Sequence, residues 1–338
     1  MKAFKKSNDA SQVMDSPTAV RGGPLTVAAS QRSERSRRDH WIGRLFLLTT
    51  LLPVALVIVM MIALLLRAWP ILAVKSIGEL LTGESWRPLQ SEFGFAPFID
   101  GTLWVTGTAM IIAVPICLLC AIYLSEYAGP RTRAIMKPIL DLLAGIPSVI
   151  YGVWGLIAVV PLIDHVIGPA LKGALGFIPL FNSANPTGFS ILAGGMVLGL
   201  MVTPVIIAVA YEVMQTVPHG LREASLAVGA TKWETVRFAV LRKSLPGIIA
   251  GVVLGFSRAF GETMAVLMVV GNVAQMPHSV FDPAYPLTAL IANNYGEMMS
   301  IPMYDAALMM AALILLLVVV GFNLAATLAL RHVTRRSM

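Results

Sequence analysis

Charged residues are scarce in this sequence. They make up 13% of its 338 residues, while hydrophobic residues make up 57% and the mean hydropathy is +0.78. Because an average soluble domain carries roughly 25% charged residues, a chain this poor in charge cannot cover a soluble surface. The composition excludes large nucleic-acid-binding proteins, secreted disulfide-stabilised proteins and disordered proteins, so we expect no nucleic acid partner. It predicts an integral membrane protein that is surrounded by the lipid bilayer.

Cysteine is almost absent as well. Cys117 and Cys120 are the two in the chain, and their C-x-x-C spacing lies inside an apolar run. Without a second cysteine pair or a nearby histidine, this spacing is typical neither of a metal site nor of a redox motif. We predict two packing residues, since free cysteine behaves as a small hydrophobe. We expect no bound metal and no cofactor.

Enzyme motifs are missing too. The sequence contains no G-x-x-x-x-G-K-[ST] phosphate-binding motif and no G-x-S-x-G nucleophile motif. A membrane enzyme is therefore the last of the functions that we consider. If ATP drives the protein, its hydrolysis must occur on a separate subunit.

Six apolar stretches are long enough to cross the hydrocarbon core, which requires about 20 residues. They are residues 45–66, 102–125, 142–163, 189–211, 247–271 and 306–330. The fifth stretch contains Arg258 and Glu262, and the other five contain no Asp, Glu, Lys or Arg. The expected fold is an all-α polytopic membrane protein whose six-span domain covers residues 45–330.

The basic residues are distributed unevenly. Twenty of the 25 Lys and Arg residues lie before the first span, in the second and fourth connections, or after the last span, whereas four lie in the other connections. The positive-inside rule then places both termini in the cytoplasm. Residues 1–44 are basic and polar and are expected to form a disordered cytoplasmic tail, and residues 331–338 a short one. Residues 166–188 either lie on the membrane surface or dip into it.

The longest connection on the predicted cytoplasmic side covers residues 212–246. Its core reads Glu-Ala-Ser-Leu-Ala-Val-Gly-Ala over residues 223–230. We predict a short helix, a turn at Gly229 and a second helix, because glycine tolerates the left-handed conformation that ends a helix. Ala224, Ala227 and Ala230 make this turn narrow enough to enter the groove of a partner.

This connection resembles the coupling loop of ABC-importer permeases, and we call residues 212–246 the coupling loop. The resemblance implies that it inserts into a cytoplasmic ATPase subunit, with contacts from Glu223, Ala224, Ser225, Gly229 and Ala230. The sequence departs from the family pattern at Ser225, where alanine is usual. It departs again at Arg242, which follows Leu241 where the family often has proline.

Three more motifs extend the resemblance over residues 100–330. Residues 123–128 (Tyr-Leu-Ser-Glu-Tyr-Ala), 143–152 and 258–265 are similar to the PstC-type phosphate-specific permeases of ABC importers. The resemblance implies a six-span type I permease bundle in the bacterial plasma (inner) membrane, forming half of an inorganic phosphate path. It also implies three partners: a PstA-type second permease, a dimeric PstB-type ATP-binding subunit and an extracytoplasmic PstS-type phosphate-binding protein.

Arg258 and Glu262 are four residues apart, so they share a helix face and reach each other if the helix continues. An isolated charge at membrane depth costs roughly 2.5–3.5 kcal/mol on insertion scales, so the pair must face a partner or a wet cavity. One interpretation is an intrahelical salt bridge. The other is an anion path, in which Arg258 contacts the anion and Glu262 competes for the guanidinium and hastens release.

Thr263, Ser148 and Tyr151 complete the candidate anion path. Ser148 and Tyr151 follow Pro147, which removes a backbone donor and kinks a helix. Their hydroxyls either line the path or lie at a kink that serves helix packing.

Other transport functions remain open on this sequence. A permease for another oxyanion, such as sulfate or molybdate, fits the same motifs. A secondary transporter would have to place its energy coupling on Glu262 alone, and a channel would not need a coupling loop.

Overall fold

A computed structural model of the chain describes residues 24–185, 187–296 and 302–336, with side chains over 41–185, 187–296 and 303–328. The described chain is mainly helical, as predicted. Six of its helical stretches are long and apolar enough to cross a membrane: Trp41–Val74, Ala96–Tyr127, Ser148–Leu175, Ile191–Gln215, Lys232–Phe260 and Met303–Leu328. These spans confirm the expected number of crossings.

The chain divides into two compact units, Met1–Met60 and Met61–Met338. Helix α1 begins at Pro24 and ends at Val74, and it therefore includes residues 24–44 of the predicted cytoplasmic tail. Proline is well suited to a first helical position, and the alanines, arginines and glutamate that follow are good helix formers. Residues 1–23 of the expected tail, and residues 337–338, lie outside the described residues.

The second unit contains the remaining elements. Its helices are α2 (Ile77–Thr82), α3 (Ala96–Ile122), α4 (Pro130–Gly145), α5 (Ser148–Trp154), α6 (Val160–Leu162), α7 (Gly168–Leu175), α8 (Ile191–Gln215), α9 (His219–Ala227), α10 (Lys232–Glu234), α11 (Leu241–Phe260), α12 (Met264–Leu267), α13 (Leu287–Asn294) and α14 (Pro302–Arg336). Turns of π-helix extend or join several of them: Tyr123–Tyr127, Gly155–Val159, Ile163–Ile167 and Thr235–Val240. Strands β1 (Trp86–Arg87) and β2 (Glu92–Phe93) form a small antiparallel hairpin.

Helix α8 lies at the centre of the main core, between α3 and α11. On the side of α3, a Cβ atom added to Gly195 would lie 2.6 Å from Thr108 Cγ2. On the side of α11, Cβ atoms on Gly251 and Gly255 would lie 2.9 Å from Val209 Cγ1 and 2.5 Å from Ile206 Cγ1. Small residues at these positions let the helix backbones approach closely, which favours association in lipid.

Cys117 belongs to this core. Its side chain is fully buried, and its Sγ lies 3.7 Å from the carbonyl oxygen of Thr203 on α8. Cys117 and Cys120 are both free thiols. Cys117 therefore packs in the core, as predicted.

A second core packs the hairpin against the ends of α3, α13 and α14. The Trp86 ring lies 5.6 Å from the Phe93 ring, 4.9 Å from the Phe98 ring and 6.0 Å from the Tyr304 ring, all in edge-on geometry. Such contacts add to the free energy of burying large aromatic surfaces. This cluster fixes the connection between the first two spans.

The third span begins later than predicted. Helix α4 ends at Gly145 and α5 begins at Ser148, so residues 142–145 belong to a separate helix. Proline lacks a backbone donor and pushes the preceding residue, here Ile146, to an extended conformation. The helical path then continues through α7, so residues 166–175 belong to the third span.

The fifth span also differs from its prediction of residues 247–271. It covers Lys232–Phe260, and a separate short helix follows at Met264. The carbonyl of Glu262 accepts a hydrogen bond from the Thr288 hydroxyl at 2.9 Å. The helix ends at Phe260, directly before Gly261, a residue type that commonly ends helices, and this contact with α13 follows directly.

Close glycine packing on α8 predicts the effect of a single methyl group. We expect Gly195→Ala to destabilise the detergent-purified protein by about 1–3 kcal/mol, because the methyl group would overpack against Thr108. The measurement is the thermal unfolding midpoint. Gly321→Ala is the matched control, since no atom lies within 4 Å of its added Cβ. Equal midpoints for the two variants would contradict this account.

Candidate functional site

The coupling loop has the predicted helix, turn and helix. Helix α9 ends at Ala227, and Gly229 takes the left-handed conformation with φ of 89°. The Gly229 amide donates to the Leu226 carbonyl at 3.0 Å, and the Ala230 amide donates to the Ser225 carbonyl at 3.3 Å. These bonds satisfy carbonyls that a helix end leaves unpaired.

The second helix starts from a well-defined cap. The Thr231 hydroxyl accepts from the Glu234 amide at 3.3 Å, and the Glu234 carboxylate accepts from the Thr231 amide at 2.8 Å. This reciprocal arrangement is a capping box. The Ser225 and Thr235 hydroxyls lie 2.9 Å apart and join the two sides of the turn. The loop therefore has a defined shape of its own.

The turn exposes small and apolar side chains. Glu223, Ala224 and Gly229 are exposed, while Ser225 and Ala230 are half-buried. Val228 is 86% exposed at the tip, although the sequence analysis assigned it no role. Exposed apolar residues in a well-ordered turn indicate a contact surface. An apolar residue directly before the turn glycine was the signal that could have identified Val228.

Below the turn lies an ion pair that the sequence analysis also missed. Arg222 on α9 bonds Glu126 in the π-helical turn Tyr123–Tyr127, with 2.9 Å between Nη2 and Oε1. The two side chains are 13% and 9% exposed. From the sequence, Glu126 belongs to the motif of residues 123–128, and Arg222 is one of the basic residues on the predicted cytoplasmic side. The two residues are 96 positions apart in the sequence, so no local pattern predicts that they pair.

The candidate anion path has a different geometry from the one predicted. Arg258 is exposed in the last turn of α11, and the helix ends at Phe260, so Glu262 does not share its helix face. Among the described residues, Lys75–Glu79 and Glu126–Arg222 form salt bridges, and Arg258 and Glu262 do not. The prediction of an intrahelical salt bridge between Arg258 and Glu262 is therefore wrong. The Glu262 carboxylate instead accepts from the Ala265 amide at 3.2 Å.

The structure nevertheless brings α5 against α12, the helix that directly follows Glu262 and Thr263. Ser148 and Tyr151 lie on α5, which packs against α12. A Cβ atom on Gly152 would lie 3.0 Å from Ala265 Cα, so these helices are in close contact directly after Glu262 and Thr263. Arg258 lies at the end of α11, four residues before Glu262.

Tyr151 itself closes the break at Pro147. Its side chain is 6% exposed, and its hydroxyl donates to the Leu143 carbonyl at 2.9 Å. Non-helical backbone at membrane depth requires such cover from protein. Ser148 is half-buried at the start of α5.

Comparisons with known proteins agree with this architecture. The sequence profile of the binding-protein-dependent transport system inner membrane component matches residues 113–337. The phosphate transport system permease protein PstC of Haemophilus influenzae is 37% identical over 274 residues, covering 79% of this chain and 86% of that protein. The protein of the same name from Mesorhizobium japonicum is 35% identical over 301 residues, covering 87% of this chain and 91% of that protein.

A solved structure shows the same fold. A chain of the MetNI methionine ABC transporter in an inward-facing conformation superposes with a TM-score of 0.50 and 19% identity, covering 74% of this chain and 99% of that chain. The six spans and these matches define the class of protein: a multi-pass inner-membrane permease of an ABC transporter. The chain belongs to the family of binding-protein-dependent transport system inner membrane components.

The left-handed turn of the coupling loop yields a testable prediction. We expect Gly229→Ala to strain the turn by about 1 kcal/mol, because an L side chain disfavours this conformation. Amide hydrogen exchange over residues 219–240 should become faster. Gly220→Ala is the matched control in the same loop, since Gly220 has no positive φ and no atom within 4 Å of its added Cβ. Unchanged exchange in Gly229→Ala would refute the strained turn.

Proposed function

We propose that this chain is the transmembrane permease subunit of an ATP-driven importer of inorganic phosphate. The observation that carries the proposal is the 35–37% identity to two phosphate transport system permeases over most of the chain. The motifs at residues 123–128, 143–152 and 258–265 support the same substrate. The chain performs no ATP hydrolysis itself and forms half of the translocation path.

The coupling loop is the contact with the ATPase. Its exposed surface from Glu223 to Ala230 is narrow and apolar at Val228, which suits insertion into a groove of an ATP-binding subunit. The other partners are a homologous second permease and an extracytoplasmic phosphate-binding protein. Both termini lie in the cytoplasm, because the basic residues concentrate on the side of the coupling loop.

The anion path runs along the junction of α5, α11 and α12. Arg258 is exposed there in the single chain and offers a guanidinium whose donors match phosphate oxygens. Glu262 and Thr263 follow directly, and Ser148 and Tyr151 come from α5. Glu262 limits the residence of the anion, because transport requires sites weak enough to release their ion.

The substrate is tested on the assembled complex of permeases, ATPase and binding protein in liposomes. Phosphate should stimulate ATP hydrolysis by about tenfold over the basal rate, whereas sulfate and molybdate should not, since specificity is a difference of affinities. The measurement is the hydrolysis rate with each oxyanion at equal concentration. Stimulation by sulfate or molybdate alone would replace phosphate with that oxyanion, and ion flux without ATP would indicate a channel or secondary transporter.

The path is tested with Arg258→Ala and Glu262→Ala. We expect Arg258→Ala to lower the uptake rate of labelled phosphate by about 100-fold, because a charge-assisted contact of roughly 1.5–3 kcal/mol is lost. Glu262→Ala should also lower uptake, through slower release. Lys172→Ala is a control that removes a cation outside the junction. Normal uptake by both path variants, with normal assembly, would end the assignment.

A further inference from the structure

The last turn of the second span contacts the coupling loop at several points. This turn is the π-helical segment Tyr123–Tyr127. It lies within the motif of residues 123–128, which resembles phosphate-specific permeases. Neither the proposed anion path nor the proposed ATPase contact uses these residues. π-Helical turns are rare and frequently occur at functional positions.

The strongest of these contacts is the buried ion pair. Both nitrogens of one edge of the Arg222 guanidinium bond Glu126: Nε lies 3.2 Å from Oε2, and Nη2 lies 2.9 Å from Oε1. The fork-to-fork geometry fixes direction as well as distance. Glu126 Oε1 also accepts from the Ser125 hydroxyl at 2.8 Å. The carboxylate is therefore held from two sides.

Arg222 reaches a third element as well. It donates to the carbonyls of Met214 and Val217, where α8 ends. Gln215 on the same helix donates to the Ser125 carbonyl at 3.2 Å. One guanidinium thus joins the coupling loop, the end of the fourth span and the end of the second span.

The other side of the loop contacts the same turn. Lys232, which starts α10, lies 4.5 Å from the centre of the Tyr127 ring. Arg222, which precedes the exposed turn at Gly229, therefore contacts Glu126, and Lys232, which follows the turn, contacts Tyr127. Of the two contacts, the buried ion pair holds the loop to this turn more strongly, because exposed cation–π contacts contribute little.

We propose that Arg222 and Glu126 are positioning residues that transmit movement of the coupling loop to the second span. This inference rests on the proposed function of that loop as the ATPase contact. A buried, bidentate pair keeps α9 and the span end in one geometry, since separating the charges would leave each one buried and unpaired. When the ATPase displaces the turn at Gly229, the second span moves with α9.

The test uses the assembled complex in liposomes and measures two rates, ATP hydrolysis and labelled phosphate uptake. Glu126→Gln and Arg222→Gln should each lower uptake per ATP hydrolysed by about tenfold, which is typical of a lost coupling between sites. The double variant should be no worse than the poorer single variant, because both remove the same interaction. Arg222→Lys keeps the charge without the fork and should retain an intermediate ratio.

Glu79→Gln is the matched control. It removes a carboxylate from an exposed pair, with 3.6 Å between Lys75 Nζ and Glu79 Oε1 and 60% exposure of the glutamate side chain. Uptake per ATP should stay at the wild-type value, because exposed pairs contribute little. A fall equal to that of Glu126→Gln would overturn the special role of the buried pair.

The remaining outcomes also support or overturn the proposal. A wild-type ratio in both neutral variants, or additive losses in the double variant, would overturn the proposal. If a neutral variant fails to assemble, Glu126→Asp and Arg222→Lys take its place: a lower ratio supports the coupling, and an unchanged ratio refutes it. Should wild-type hydrolysis not respond to phosphate, the proposed function itself would fail, which is distinct from failure of the pair.

Discussion

Close contact of helix backbones at α8 is the constraint on which the other features depend. Within a membrane, apolar side chains gain little by leaving lipid, so helices associate through tight packing of small residues. Gly195 brings α8 against α3, and Gly251 and Gly255 bring it against α11. Helix α3 ends at the turn that receives Arg222, and α11 connects the coupling loop to Arg258. Packing around one helix thus positions both functional regions.

Broken helices supply the irregular backbone at the candidate path. The breaks at Pro147 and Gly261 leave carbonyls and amides without helical partners, which lipid could not satisfy. Protein covers them: the Tyr151 hydroxyl bonds the Leu143 carbonyl, and the Thr288 hydroxyl bonds the Glu262 carbonyl. Polar groups are therefore tolerated where α5 meets α12, and the charges proposed to guide the anion lie beside this junction.

The coupling loop combines an exposed tip with a buried base. Its tip, from Ala224 to Ala230, has its own turn, and the capping box of Thr231 and Glu234 follows directly. Its base is held by the Arg222–Glu126 pair, whose charges are largely removed from solvent. The surface that we propose as the ATPase contact is in this way attached to the transmembrane helices, as the proposed transmission of movement requires.

The class of membrane protein, the six spans and the turn at Gly229 follow from the sequence alone, because apolar length and glycine conformation are local properties. The path residues that we propose come from the sequence, which however predicted Arg258 and Glu262 on one helix. The helix in fact ends directly before Gly261, which is a local signal, and Thr288 bonds the Glu262 carbonyl from another helix, which is a tertiary contact. Likewise, only the folded chain pairs Arg222 with Glu126, because packing of α8 brings together charges that lie 96 residues apart.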